Sequence, residues 1–167
     1  MKGNRSSLFY CTALKKELVQ LIEESINKDT YFIIGVNIVQ LKGNSLIKVV
    51  VDSDKGITID ECSTISRELN QRIEESKIVE NYELEVTSPG VGEPIKLARQ
   101  YFKNIGRRIQ VVDAEGVKIE GKLTNVVLDD FIEVLEEKKN KHKIVDTQLR
   151  KVSLNQIKKA VILVSFN

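Results

Sequence analysis

The chain has no tryptophan, one histidine, one methionine, two prolines and two cysteines in 167 residues. Cys11 and Cys62 are too few for a disulfide framework, so both are expected to be reduced core residues of a cytoplasmic protein. His142 has no cysteine or second histidine nearby in sequence, and metal or nucleophile sites need such partners at set spacing. We read it as a solvated loop imidazole. No apolar run reaches the ~18–20 residues of a membrane span. Lys15 and Lys16 break up the N-terminal stretch before a secretory h-region could form. Neither G-x-x-x-x-G-K-[ST] nor G-x-G-x-x-G occurs, so no phosphate cradle is encoded. Glu83 and Glu85 share a strand face, as paired acid/base carboxylates can. The same spacing is the wet face of any half-buried strand. We therefore expect no enzyme, no cofactor and no small-molecule substrate.

What the chain does have is an ordinary globular content, 41% hydrophobic and 30% charged, unevenly distributed. Residues 1–90 carry 11 basic against 14 acidic side chains, whereas residues 91–167 carry 15 against 10. A second half of net +5 points toward an anionic partner.

The hydrophobic pattern changes at the same place. Leu8, Cys11, Leu14, Leu18, Leu21, Ile22 and Ile26 recur every three or four residues, one stripe of an amphipathic helix with Ser6 or Ser7 as its cap. Two β-rich runs follow, 31–41 and 46–52, joined by a turn at Lys42-Gly43-Asn44-Ser45. In the second run Ile47, Val49 and Val51 point one way, and Lys48, Val50 and Asp52 the other. Thr58 and Glu61 form a T-x-x-E capping box for a second helix with stripe Ile59, Cys62, Ile65, Leu69 and Ile73. A strictly alternating strand, 82–88, closes an α-β-β-α-β order. One sheet covered on one face by two helices would be a two-layer sandwich.

Both prolines and two of the nine glycines fall in Ser88-Pro89-Gly90-Val91-Gly92-Glu93-Pro94. Proline cannot donate to a ladder, so the strand must stop there. This places the domain junction, with domains 1–90 and 91–167, and a short helix at 95–103. Beyond it come short strands only: 107–113, 117–128, 131–137, 143–152 and 158–164, with a lysine-rich loop at 138–141 and a single tight turn at 153–157. Closing five such strands into a small SH3-like or Sm-like barrel would remove their edges. Gly121, inside the longest strand, marks a sharp bend. The fold class expected is α+β.

The basic residues of the second half are Lys96, Arg99, Lys103, Arg107, Arg108, Lys118 and Lys122, then the lysines of 138–143. Arg99 and Lys103, four apart, would share one face of a junction α-helix. As a patch, the first seven are candidates to meet nucleic-acid phosphates or a protein embedded among them. The bland alternative is solubilising charge, with Glu115 and Glu120 interspersed; the loop lysines are the weakest members. The first half offers no RNA module: the outward face of 82–88 is Glu83, Glu85 and Thr87 rather than base-stacking aromatics, and there is no G-x-x-G clamp.

The run Tyr-Glu-Leu-Glu-Val-Thr-Ser-Pro-Gly (82–90), then Pro94-Ile95 and Tyr101-Phe102, resembles the central signature of the ribosome maturation factor RimP family. The stretch from Gly106 to Gly121-Lys122-Leu123 is similar to the opening of that family's barrel. The order of elements agrees over nearly the whole chain. The resemblance implies a monomeric, non-enzymatic factor that binds the immature small ribosomal subunit, near a ribosomal protein of the decoding region and rRNA. The domain-junction turn Ser88, Pro89, Gly90 and Pro94 belongs to the resemblance, but the acidic-basic pair usual before its proline is here Gly92-Glu93, so no charge contact is carried over at that turn. The rival is an Sm-like regulator of messenger or small RNA, which would form rings where the assembly factor stays monomeric.

Overall fold

The computed structural model describes the backbone of residues 3–90 and 92–164, and side chains from residue 13 onward except those at 91, 145 and 165–167. The chain divides into two compact units, Met1–Pro89 and Gly90–Asn167.

The first unit runs α1 (Gly3–Ser25), β1 (Tyr31–Leu41), β2 (Asn44–Ser53), α2 (Ile59–Ser76) and β3 (Tyr82–Thr87). Helix α1 starts before Ser6 and Ser7, which therefore lie inside it rather than capping it. Of its stripe, Leu18, Ile22 and Ile26 are buried and Leu21 packs beside them. The side chains of Leu8 and Cys11 lie outside the described residues. Strands β1 and β2 form an antiparallel hairpin whose Leu41–Asn44 pair closes a turn tighter than expected, with Gly43 at φ +72°. β3 lies parallel to β2, giving the order β1-β2-β3, because the chain crosses over through α2 between them.

Alternation decides the core. Ile47, Val49 and Val51 are fully buried against Leu18, Ile22, Ile65, Leu69 and Ile73, so both helices cover the same face. Asp52 departs from the expected wet face: it is fully buried, and its Oδ1 accepts the Ser53 backbone N–H. Ile59 departs in the other direction. It is 85% exposed while Cys62, Ile65, Leu69 and Ile73 are buried. At 100° per residue Ile59 sits about 75° from the centre of that stripe, in the first turn where the helix has barely reached the sheet.

The start of α2 is held as the sequence indicates. The Thr58 hydroxyl oxygen accepts the Glu61 backbone N–H at 3.2 Å, and the Glu61 carboxylate accepts the Thr58 backbone N–H at 2.8 Å. The Tyr31 hydroxyl donates to the same carboxylate at 3.0 Å, tying β1 to the helix start. These bonds, the Thr58 N–H foremost, hold the Glu61 carboxyl below its ordinary range. Burial pushes the Cys62 thiol up, which keeps it protonated and unreactive.

In the second unit, the segment leading in is less helical than expected. Pro94 bridges Val161, and the Ile95 N–H donates to the Ala160 carbonyl at 2.8 Å. Only Ala98–Asn104 is helical, and it is a 3₁₀ helix. Buried Gln100 fastens it: its Oε1 accepts the backbone N–H groups of Lys96 and Leu97, both at 2.8 Å. Tyr101 anchors it in the core, where burial pushes its phenol up to about 12.

Five strands follow, β4 (Arg108–Asp113), β5 (Lys118–Val127), β6 (Phe131–Asn140), β7 (Lys143–Ser153) and β8 (Ile157–Ile162), with a 3₁₀ turn at Leu154–Gln156. All neighbours are antiparallel, in the order β7-β6-β5-β4-β8. The expected closed barrel is not formed: among the described residues no ladder joins β7 to β8, so the sheet keeps two edges. It nevertheless wraps a core of Ile109, Val111, Ile119, Leu123, Val126, Ile132, Val134, Val152 and Ala160.

At Gly121 the structure shows a close strand approach, and the register irregularity between β5 and β6 lies further on, between Leu123 and Asn125. A Cβ on Gly121 would overlap the Leu135 carbonyl and lie 2.8 Å from the Glu136 Cα. Only glycine lets β5 approach β6 this closely. The 138–141 segment is strand rather than loop, because β6 continues to Asn140 and reverses at Lys141-His142 alone.

Candidate functional site

Strand pairing brings part of the expected basic set onto one face. Arg108 stands opposite Lys122, Gln110 opposite Glu120, and Val112 opposite Lys118. Directly opposed residues share a sheet face, so Arg108, Lys118 and Lys122 point to the same side while Ile109, Val111 and Ile119 fill the core. Arg107 precedes β4; its carbonyl accepts the Leu123 N–H at 2.9 Å, and the Gly106 N–H donates to the Leu123 carbonyl at 2.7 Å, which locks the entry to the strand.

Like charges opposite one another repel, and the face compensates at Arg108. Its Nη2 lies 2.8 Å from Glu120 Oε1 and its Nη1 lies 3.5 Å from Glu137 Oε2. The second contact is an ion pair without a hydrogen bond, since Glu137 Oε2 is buried and accepts none. Arg108 is thus the centre of a carboxylate–guanidinium–carboxylate row across β5, β4 and β6. A second pair, Arg150 Nε to Glu136 Oε2 at 2.8 Å, links β7 to β6. Lys151 lies over the Phe131 ring, 3.7 Å from its centroid.

The remaining expected residues divide by exposure. Lys96, Arg107, Lys118 and Lys122 are exposed, and none of them makes an ion pair among the described residues. Arg99 and Lys103 are half-buried, and each is already engaged by another group of the protein. Nor do these two share a face. A 3₁₀ helix has three residues per turn, so positions three apart eclipse and positions four apart diverge by about 120°. Of the junction turn, Ser88, Gly90 and Pro94 are exposed and Pro89 is half-buried.

Glu83 and Glu85 lie on the exposed side of β3, with Glu85 opposite Lys48. Both sit on an open sheet face, unlike carboxylates held for proton transfer.

One basic feature is stronger in the structure than in the sequence. Lys138, Lys139, Lys141 and Lys143 belong to a strand-paired hairpin, with His142 in its turn. The available signal is the β-rich stretch on either side of the lysines. It is obscured because the turn holds no glycine, asparagine or proline where a two-residue hairpin normally has one.

These features define a two-unit α+β chain whose second sheet displays basic residues on a face partly neutralised by its own carboxylates. The pattern described as the RimP N-terminal domain matches residues 21–92. The chain is 36% identical over 129 residues to the ribosome maturation factor RimP of Pelodictyon phaeoclathratiforme, an alignment covering 69% of this chain and 75% of that protein. It is 37% identical to the RimP of Christiangramia forsetii, covering 65% and 68% respectively. It is also 41% identical over 105 residues to the RimP of Chlorobium phaeovibrioides, where the alignment spans 59% of this chain and only 60% of the relative. The chain belongs to the RimP family.

Proposed function

We propose that this protein is a non-enzymatic assembly factor of the small (30S) ribosomal subunit, binding the immature particle transiently in the cytoplasm. The observation that carries the reading is similarity to ribosome maturation factors across both units, at 36% identity over 69% of the chain. The exposed cations Lys96, Arg107, Lys118 and Lys122 supply a charge-complementary surface for rRNA phosphates, or for a ribosomal protein of the decoding region set among them. Arg99 and Lys103 belong to the 3₁₀ helix and are already engaged, while Arg108 is held by carboxylates of its own sheet. The first unit, acidic by composition, suits contact with basic ribosomal protein better than contact with RNA. We read the chain as a monomer of two domains joined at 89–95, the first a two-layer sandwich and the second a curved sheet of the SH3-like or Sm-like kind.

Co-sedimentation through sucrose gradients with mature and immature small subunits tests the reading. Preferential binding to the immature particle is expected, and no binding to either would refute it. A ring-sized species in size-exclusion chromatography would instead favour the Sm-like RNA regulator.

A further inference from the structure

The ladder between β5 and β6 ends at the Gly121–Glu136 pair, but β6 runs on to Asn140. From residue 137 outward, β6 pairs with β7 alone, through Glu137–Thr147, Lys138–Asp146, Lys139–Ile144 and Asn140–Lys143. Four residues at about 3.3 Å each make a two-stranded arm roughly 13 Å long. Every described side chain from 138 to 151 is exposed. The arm therefore buries almost nothing, and isolated two-stranded ribbons are marginal in water. Its persistence is not explained by the core.

The chemistry of its tip is one-sided. Lys138, Lys139, Lys141 and Lys143 fall within six residues that contain no acid. The arm's own carboxylates lie at its base: Glu137 faces Arg108, and Asp146 stands opposite Lys138. The turn adds an independent observation. Lys141 and His142 have φ of +45° and +73°, left-handed conformations that two-residue hairpin turns require and that Asn-Gly fills without strain. For residues with a Cβ this region costs about 1 kcal/mol or more each. A chain that accepts this cost on an exposed tip keeps a cation where a better turn former would stand.

We propose that this hairpin end is an RNA-binding arm, its four lysines seated against backbone phosphates of folded RNA; as a statement about ribosomal RNA it rests on the assembly-factor reading above. Phosphates are the target because lysine is a point charge suited to them, whereas base-specific recognition favours planar, bidentate groups. Residues 132–150 contain no phenylalanine, tyrosine or tryptophan on which unpaired bases could stack. A protein partner would need a cluster of apolar anchors at the tip; among the described side chains of 138–144 the one apolar group is Ile144, opposite Lys139, and Leu149 stands opposite Leu135, outside the arm.

The test uses the full chain and an RNA duplex of about 20 base pairs, followed by fluorescence anisotropy across a salt series. The wild type should bind with steep salt dependence. The K138A/K139A/K141A/K143A variant should weaken binding roughly tenfold or more near physiological salt and flatten the logarithmic slope by roughly 0.7–0.9 for each phosphate no longer neutralised. The matching four-arginine variant should retain both. Because these side chains are exposed, all variants should show wild-type circular dichroism and melting. The proposal is overturned if the wild type does not bind the duplex, or if the alanine variant binds it unchanged. It is overturned equally if that variant loses small-subunit binding while duplex binding is intact, which would mean a protein partner. Co-sedimentation of the wild type with small subunits separates the two claims. Its failure would sink the assembly-factor reading alone, and duplex binding by the arm would stand or fall on the anisotropy result.

Discussion

Arg108 offers the sharpest separation between a structural and a binding role for the basic face. The sequence places it beside Arg107 as one more cation for an anionic partner. The structure has it bridging Glu120 at 2.8 Å and Glu137 at 3.5 Å, with the arginine side chain 29% exposed and Glu137 only 14%. Arg108→Ala removes both pairs and strands a buried carboxylate oxygen. A partly exposed pair contributes about 0.2–1 kcal/mol; Glu137 Oε2 accepts no hydrogen bond even with Arg108 present, so what the change adds there is the loss of the counter-charge beside a largely buried carboxylate, about 1 kcal/mol more. We expect a net loss of about 1–2 kcal/mol in the second unit, or a fall in Tm of roughly 4–16 °C for a unit of this size. Lys118→Ala and Lys122→Ala, at exposed positions, should change melting hardly at all. On small subunits the order should reverse. Each of the two lysine variants should flatten the salt slope by roughly 0.7–0.9 if its side chain touches phosphate, and Arg108→Ala should leave the slope nearly unchanged. Freeing the guanidinium with E120Q/E137Q should steepen the slope. The assays are urea or thermal denaturation and co-sedimentation across a salt series. If Arg108→Ala melts like the wild type and flattens the slope as much as Lys122→Ala does, the carboxylate row is incidental and Arg108 is one more cation of the binding face.

Three further outcomes follow from particular contacts. Gly121→Ala should destabilise the second unit by several kcal/mol, because the added carbon meets backbone of β6 rather than a side chain that can rotate away; a melting curve like that of the wild type would show that the strands can separate cheaply. Glu61 is held ionised in the fold, so its contribution is present above the usual glutamate range and lost as pH falls through its depressed folded value; Glu61→Gln should lower first-unit stability at neutral pH and converge with the wild type in acid, read from denaturation midpoints against pH. K141N/H142G should raise the stability of the β6–β7 hairpin by about 1 kcal/mol or more through relief of the two left-handed residues, measured by amide exchange in β7, while weakening RNA-duplex binding by the one lysine removed.

Local patterning carried most of the chain's order. Three- and four-residue spacing marks the buried side of α2 from Cys62 to Ile73, alternation separates Ile47, Val49 and Val51 from Lys48, and Thr58 with Glu61 declares a helix start; these depend only on neighbours in sequence. The proline-glycine cluster at 88–94 marks the end of the first sheet for the same reason, whereas the need for a glycine at 121 comes from the backbone of β6 beside it. What the tertiary structure decided are questions of which strand lies beside which. Alternation puts Arg108 and Lys122 on a wet face but says nothing of Glu137, 29 residues away in sequence, and so cannot distinguish a cation offered to a partner from one held by its own chain. Asp52 alternates as a surface residue yet is fully buried, and Ile59 belongs to an apolar stripe yet faces water, because burial depends on where the covering element ends. The lysines at 138–143 look like a loop until the register of β6 against β7 extends them into an arm, and five short strands suggest a closed barrel until pairing leaves β7 and β8 as edges. In each case a long-range contact overrides a local preference of comparable or smaller free energy, and such contacts are not written in any short window of residues.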